Sequence, residues 1–194
     1  MQLPESVKLG TRRRMQLFDD LVDLFLAEGF AHFTLDDIAS RLRCSKSTLY
    51  TLAGSKEQLV RAATVHFFRR ATDDVERQIA GVHSARAQLT TYLSAVGSAL
   101  ESVSDTFMAD LDGFVPAREI YEQNTRIAAH RVKEIIAGGV DSGDFRDVHA
   151  AFAAELVATM MVRIQQRTVR VNTGLDDASA YRELAAILTA GISA

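Results

Sequence analysis

The sequence predicts an all-α protein, in which a small N-terminal helical unit precedes a larger helical body. Apolar residues recur at helical spacing along most of the 194 residues, as they do in amphipathic helices. Only 2 residues are proline, so long helices meet few breaks. No segment alternates apolar and polar residues as a half-buried strand does. We place the boundary between the two parts at residue 55, which gives predicted domains of 1–55 and 56–194.

The first predicted helix covers about residues 8–28 and carries an apolar stripe at i, i+3, i+4 and i+7. The stripe consists of Phe18, Leu21, Val22 and Phe25. Gly29 follows directly. Because glycine readily adopts the left-handed conformation found after helix C-termini, it predicts the end of this helix.

Two short helices joined by a tight turn are predicted next. Thr34 can cap the second helix, and Asp37 completes a capping box with it. Residues 42–44 form the turn, and Ser45 can cap a third helix over about residues 46–52. The polar side of that third helix would be free to enter the major groove of DNA. By itself the pattern is weak, because helical hairpins with polar faces are common.

A Ser-x-x-Gln box at Ser55 and Gln58 predicts the start of a long helix that ends near residue 80. The later helices are predicted over about residues 85–103, 105–112, 116–137, 148–171 and 178–192. Glycines predict the breaks between them. These are Gly113, the Gly138-Gly139 pair, Gly143 and Gly174.

The distribution of charge is more informative than the net charge of −3. Two segments, residues 8–14 and 41–56, contain basic residues and no acidic ones. The basic residues are Lys8, Arg12, Arg13 and Arg14 in the first segment and Arg41, Arg43, Lys46 and Lys56 in the second. If the two segments share a face, they form a positive patch suited to phosphate groups. The alternative is two solvated stretches on unrelated faces.

Several classes of function lack support in the sequence. No nucleophile–base set, phosphate loop or metal-ligand cluster stands out, so we expect no enzyme, no cofactor and no metal site. The single cysteine, Cys44, excludes an internal disulfide and suits a buried apolar position in a reducing cytoplasm. The longest uncharged stretch, residues 87–100, is too short to cross a bilayer. The N-terminus has no apolar region of the kind found in signal peptides.

Four short motifs between Gly29 and Leu59 are more specific than the helical pattern. They are Gly29-Phe30, Thr34-Leu35-Asp36-Asp37-Ile38-Ala39, Ser45-Lys46-Ser47-Thr48-Leu49-Tyr50 and Ser55-Lys56-Glu57-Gln58-Leu59. Their ungapped spacing strongly resembles the DNA-binding domain of the TetR family. The resemblance implies a cytoplasmic homodimer that binds double-stranded DNA, usually as a repressor released by a small-molecule effector. It also implies that residues 1–55 bind DNA and that residues 56–194 bind the ligand and dimerise.

The resemblance further assigns roles to individual side chains. The residues implied to contact DNA phosphates are Thr34, Ser45, Tyr50 and Lys56. Those implied to reach base edges are Lys46, Ser47 and Thr51, with Thr48 on the same side of the third helix. The caps Thr34 and Ser55 could instead serve only to start their helices, and Tyr50 could be a core aromatic with a solvated hydroxyl.

Two positions depart from the family pattern. Arg43 stands in the turn where the family usually has glycine. After Tyr50 the family commonly has an aromatic residue or histidine and then phenylalanine, whereas this chain has Thr51-Leu52-Ala53. One family phosphate contact is therefore in doubt. Our hypothesis is that Arg43, together with residues 12–14, replaces it.

The helical body is expected to hold the effector pocket and the dimer interface. The pocket candidates are Phe67, Tyr92, Val96, Leu100, Phe107, Leu111, Phe114 and Tyr121. The interface candidates follow helical spacing along the last two long helices: Phe152, Leu156, Met160, Ile164, Tyr181, Leu184 and Leu188. Either set could also be the plain core of one subunit.

Two other classes of function stay open. One is a helical interaction protein whose helix-turn-helix has degenerated, for which the Thr51-Leu52-Ala53 departure is the motive. The other is a small all-α enzyme, although no set of catalytic residues in the sequence supports it.

Overall fold

The computed structural model describes the backbone from Glu5 to the C-terminus and the side chains from Arg12 onward. In this part of the chain the helices are α1 (Glu5–Glu28), α2 (Leu35–Arg41), α3 (Lys46–Leu52), α4 (Lys56–Ile79), α5 (Ala85–Ala99), α6 (Asp105–Gly113), α7 (Val115–Ser142), α8 (Ala150–Gln165), α9 (Thr168–Thr173) and α10 (Asp177–Ile192). The only β pairing in the same residues is an isolated bridge between Phe145 and Ser193. The predicted all-α fold is confirmed. No described helix combines the length and the apolar composition that crossing a membrane requires.

The contacts between Cα atoms divide the chain into two compact units. Unit 1 contains the described residues up to Phe68 and the segment Val103–Ile120, and unit 2 contains Arg69–Ser102 and Tyr121–Ala194. Unit 1 thus holds α1 to α3, the first half of α4, and α6, which is distant in sequence. The functional division at residue 55 stays a prediction.

The core of unit 1 is built from the apolar faces that the sequence pattern indicated. Leu21 and Phe25 of α1, Ile38 of α2 and Leu49 of α3 are almost completely buried. Phe30, in the loop after α1, lies 5.8 Å from the ring of Phe25, measured between ring centroids. The same ring makes edge-on contacts with Phe107 and Phe114 at 5.8 and 6.0 Å. This aromatic cluster fixes the loop between α1 and α2 to α6 and its C-terminal flank.

The core of unit 2 depends on close packing of α10 against α5 and α8. Gly97 of α5 permits this approach, because an added Cβ would lie only 2.9 Å from the Cβ of Tyr181. Tyr181 is fully buried, and its hydroxyl accepts a hydrogen bond of 3.1 Å from Nε2 of Gln165. Thr125 Oγ1 donates to the other side-chain atom of that amide, Oε1, at 3.4 Å. Burial raises the pKa of the Tyr181 phenol, so the hydroxyl stays neutral in this core.

Three predicted helix boundaries were wrong. Helix α7 continues through Gly138 and Gly139 to Ser142, although the pair was predicted as a break. The second glycine serves packing instead, since a Cβ there would lie 2.2 Å from the ring of Phe145. The helix predicted over 148–171 is divided into α8 and α9, because Arg167 adopts a left-handed φ of 59°. Helix α5 ends at Ala99 rather than near residue 103.

Candidate nucleic-acid interface

Helix α2 begins with the predicted capping box. The amide of Asp37 donates to Thr34 Oγ1 at 3.2 Å, and the amide of Thr34 donates to Asp37 Oδ2 at 2.8 Å. The hydroxyl of Thr34 also donates to that carboxylate at 2.6 Å. These bonds to the charged form hold the pKa of Asp37 below its ordinary value. The threonine is exposed, so capping leaves its surface accessible to a partner.

The turn after α2 is a Schellman motif with arginine at the position that favours glycine. The amide of Cys44 donates to Ala39 O at 2.9 Å, and the amide of Arg43 donates to Ser40 O at 3.2 Å. These are the two bonds that define the motif, and the residue between them adopts the left-handed conformation. Arg43 does so with φ of 50°. The backbone therefore has the turn that glycine would form, and a cationic side chain stands on it.

Helix α3 has the predicted bounds and presents a polar face. Ser45 Oγ accepts the amide of Thr48 at 3.1 Å and starts the helix. Leu49 is 1% exposed and anchors α3, whereas Tyr50 is 52% exposed. The other exposed side chains are Ser45, Lys46, Ser47 and Thr51, with Thr48 half-buried. All the DNA-contact residues predicted on α3 therefore have accessible surface, and the segment does not pack inward.

The N-terminus of α4 carries a variant of the predicted box. Ser55 Oγ accepts the amide of Gln58 at 3.2 Å. The amide side chain of Gln58 accepts from Gly54 at 3.0 Å, one residue before the position that the box requires. Lys56 lies in the first turn, and its Nζ donates to Ala31 O at 2.8 Å. This bond holds the ammonium group beside the loop that precedes α2.

The cations of this region differ in how far they are neutralised. Lys46 Nζ lies 2.6 Å from a carboxylate oxygen of Asp36, and this hydrogen bond raises the pKa of the lysine. Arg41 pairs with Glu28. Arg43 is exposed and has no ion-pair partner among the residues whose side chains are described. It is therefore the cation of the turn that is ready for an external anion.

A cleft of about 530 Å³ brings the two basic segments together. Arg13 and Arg14 of α1 line it with Arg43, Thr48 and Thr51. The wall also includes Gln16, Leu17, Asp20, Leu42, Cys44 and Leu52. Three arginines against one carboxylate give the cleft a positive balance, so a polyanion fits it better than a cation. Arg12 is exposed nearby in sequence, and the side chain of Lys8 lies outside the described residues.

Cys44 is half-buried in the wall of this cleft. Burial raises the pKa of its thiol, so the neutral form is favoured. The predicted buried apolar position is therefore only partly realised, because the side chain is half-buried in a cleft that three arginines also line.

The predicted pocket residues fall into two sets. Phe67, Phe107, Leu111 and Phe114 belong to unit 1, and Tyr92, Val96, Leu100 and Tyr121 belong to unit 2. Within unit 1 the rings of Phe67 and Phe107 lie 6.3 Å apart. Within unit 2 burial raises the pKa of the Tyr92 phenol. That these residues line an effector site stays a prediction.

The predicted interface residues also differ in exposure, and two need correction. Ile164 is 1% exposed and Tyr181 is fully buried, so both belong to the core of unit 2 and have no surface for a partner. Phe152 and Leu156 are 64% and 51% exposed. Met160, Leu184 and Leu188 are half-buried. Ile187, at 70% exposure, was missed because it lies beside the chosen stripe of α10, although its position next to Leu188 in the sequence was a usable signal.

The two short helices, the tight turn and the basic cleft together define a helix-turn-helix DNA-binding regulator. Residues 17–63 match the family model described as bacterial regulatory proteins, tetR family. Residues 17–63 therefore carry a DNA-binding domain of the tetR type, and the transcriptional regulators of that family are DNA-binding proteins.

Solved structures share the fold over nearly the whole chain. A transcriptional regulator from Saccharomonospora viridis in complex with choline has a TM-score of 0.77 at 18% identity, over 95% of this chain and 99% of that one. A TetR regulator from Haloarcula marismortui has a TM-score of 0.74 at 17% identity, over 95% and 100%. The TetR-family regulator PfmR from Thermus thermophilus has a TM-score of 0.63 at 21% identity, over 90% and 97%. Among curated protein sequences none matches this chain significantly.

Proposed function

We propose that this regulator is a repressor that binds a palindromic operator as a homodimer and is released by a small molecule. The observation that carries the proposal is the accessible polar face of α3 beside a cleft with three arginines. A helix of this kind fits the major groove, while flanking cations neutralise the phosphates on either side. We place this activity in the cytoplasm, as the match to bacterial regulatory proteins suggests.

The contacts divide into positioning and reading. The residues proposed to contact phosphates are Thr34, Ser45, Tyr50 and Lys56, joined by Arg13, Arg14 and Arg43 of the cleft. The residues proposed to reach base edges are Lys46, Ser47 and Thr51, with Thr48 beside them. The ammonium group of Lys46 has three donors, of which its bond to Asp36 uses one. Two donors are left for a base edge, so the ion pair orients Lys46 and still allows it to bind DNA.

The proposed dimer interface is the exposed apolar surface of α8 and α10, two helices that contact each other in unit 2. Phe152, Leu156 and Ile187 are each more than half exposed. Large apolar side chains clustered on neighbouring helices are typical of surfaces that associate. Two helices from each subunit form an isologous four-helix interface. A twofold axis between subunits then requires two half-sites with inverted sequence.

The effector is proposed to bind the region from residue 56 onward. The regulator of Saccharomonospora viridis, which shares this fold, is described in complex with choline. That complex supports a small molecule as the effector class here. In the proposed mechanism ligand binding tilts α4 and changes the separation of the two α3 helices, so that both no longer fit the operator at once.

The test begins with duplexes selected from a random library by the full-length protein. A palindrome is expected to emerge, and inserting about five base pairs between its halves should abolish tight binding, because the second α3 then faces the wrong side of the DNA. A duplex with the original spacer length but a changed spacer sequence keeps both the facing and the separation of the half-sites, and serves as the control. Lys46→Ala should weaken binding, and Lys133→Ala, which removes an exposed lysine from α7, should not. Undiminished affinity after the shorter insertion would refute the two-headed model.

A further inference from the structure

A carboxylate of α6 holds the loop that joins α1 to α2. Asp110 Oδ2 accepts the amide of Phe30 at 2.6 Å and the amide of Ala31 at 2.8 Å. The donors lie about 80 residues earlier in the chain, but all three residues belong to unit 1. Two bonds to one charged oxygen are stronger than bonds between neutral groups. The carboxylate therefore fixes the orientation of the peptide between Phe30 and Ala31.

Gly29 makes this approach possible. Its φ of 81° is left-handed, and an added Cβ would lie 2.6 Å from Asp110 Oδ2 and 2.7 Å from Cγ2 of Thr106. The carboxylate occupies the space that any other side chain would need. The close contact between the loop and α6 therefore requires glycine at position 29.

The held loop in turn holds a cation of the DNA-binding surface. Ala31 donates its amide to Asp110 and accepts the ammonium group of Lys56 on its carbonyl at 2.8 Å. One residue therefore connects α6 to the first turn of α4. Lys56 keeps two of its three donors for another acceptor, and its charge adds to the exposed amides of that helix end, which favour an anion.

We propose that Asp110 is a positioning residue for DNA binding, acting through Ala31 to hold Lys56 where a phosphate meets it. This inference rests on the proposed DNA contact of Lys56. Without the carboxylate the loop and the lysine must be ordered again at each binding event, which costs part of the side-chain entropy of a lysine. The expected weakening is about three- to tenfold.

The sign of the effect separates this role from a simple charge effect. Asp110→Ala removes a negative charge from a surface that binds a polyanion, and by charge alone it would strengthen binding. The positioning role predicts the opposite. Asp112→Ala is the matched control, because it removes the same charge from an exposed position of the same helix.

The experiment measures the binding of the full-length protein to a labelled mixed-sequence duplex of about 30 base pairs across salt concentrations, because phosphate contacts dominate non-specific binding. Lys56→Gln should lower the salt slope by about 0.9 for each bound subunit, or about 1.8 for the dimer, and each 0.9 corresponds to about eightfold in affinity for each tenfold change in salt. Asp110→Ala should weaken binding about three- to tenfold relative to Asp112→Ala and should add nothing in the Lys56→Gln background. Asp110→Asn should restore binding, since its carbonyl can accept both amides.

Circular dichroism establishes that each variant is folded at the assay temperature. If Asp110→Ala is not, Asp110→Glu takes its place and should also weaken binding, because its carboxylate is displaced by one methylene. Two results would overturn the positioning role alone. One is that the folded Asp110 variant binds as tightly as Asp112→Ala. The other is that its loss of affinity adds fully to the loss caused by Lys56→Gln. Wild-type protein without salt-dependent DNA binding, or Lys56→Gln with an unchanged slope, would overturn the proposed contact and this inference with it.

Discussion

Replacing Arg43 by glycine is expected to change fold stability and DNA binding in opposite directions. The residue occupies the left-handed position of a Schellman motif, with φ of 50°. A residue with a Cβ pays about 1–2 kcal/mol in this conformation, and glycine does not. Glycine costs about 0.5–1 kcal/mol through the greater freedom of its unfolded chain. The difference leaves Arg43→Gly more stable than the wild type by about 0.5–1 kcal/mol.

The same change removes an exposed cation from the cleft. If Arg43 contacts a phosphate, the slope of log K against log salt should become shallower by about 0.9 for each bound subunit, or about 1.8 for the dimer. Arg43→Ala loses the same charge but keeps a Cβ in the strained turn. Its salt slope should therefore become shallower by the same amount, and its stability should not increase. Arg43→Lys keeps the charge and the strain, and should retain most of the slope.

Stability is measured by urea unfolding at one fixed protein concentration, because the proposed dimerisation would make stability depend on concentration. DNA binding is measured by fluorescence anisotropy over a range of salt. A glycine variant no more stable than the alanine variant would refute the strain argument. Arg43→Ala with the wild-type slope would refute the phosphate contact, whatever the stability of the glycine variant.

Three further predictions follow from other contacts. Gly29→Ala should destabilise unit 1 by about 2 kcal/mol in urea unfolding, since it combines left-handed strain with displacement of the Asp110 carboxylate; an unchanged midpoint would contradict the close approach. The depressed pKa of Asp37 contributes stability that is present above its ordinary value of 3.8 and is lost as pH falls through the lower folded value. The stability difference between wild type and Asp37→Asn should therefore be constant above about pH 5 and shrink as the pH falls through 3.8 and below, and a difference that stays constant through this range would exclude this linkage. Phe152→Ser should leave the monomer folded but raise the dimer dissociation constant more than about tenfold in sedimentation equilibrium, whereas an unchanged association would remove α8 from the interface.

The helix-turn-helix could be predicted from the sequence because its signals are local. Thr34 and Ser45 mark the starts of α2 and α3 through side chains that bond to amides three residues later. The bounds of α3 were therefore predicted correctly. Leu49 and Ile38 identified the buried sides of the two helices in the same way, since helical periodicity carries that information.

The features that the sequence did not predict depend on contacts between distant residues. Gly139 was predicted to be a helix break. In the sequence, a glycine that leaves room for a packed side chain, here Phe145, cannot be told from a glycine that ends a helix. Tyr181 and Phe152 both fit an apolar stripe, but Tyr181 is buried where α10 packs on α5, whereas Phe152 of α8 is exposed. Asp110 had no local signal, because its partners lie about 80 residues away.

The central claim is that the accessible side of α3, the start of α2 and the first turn of α4 form one surface for duplex DNA. Amide hydrogen exchange of the full-length protein, with and without a saturating selected duplex, tests this most directly. We expect slower exchange around Thr34, along α3 and around Lys56, and little change in the exchange rates of unit 2. Protection confined to unit 2, with α3 exchanging at the rate of the free protein, would contradict it.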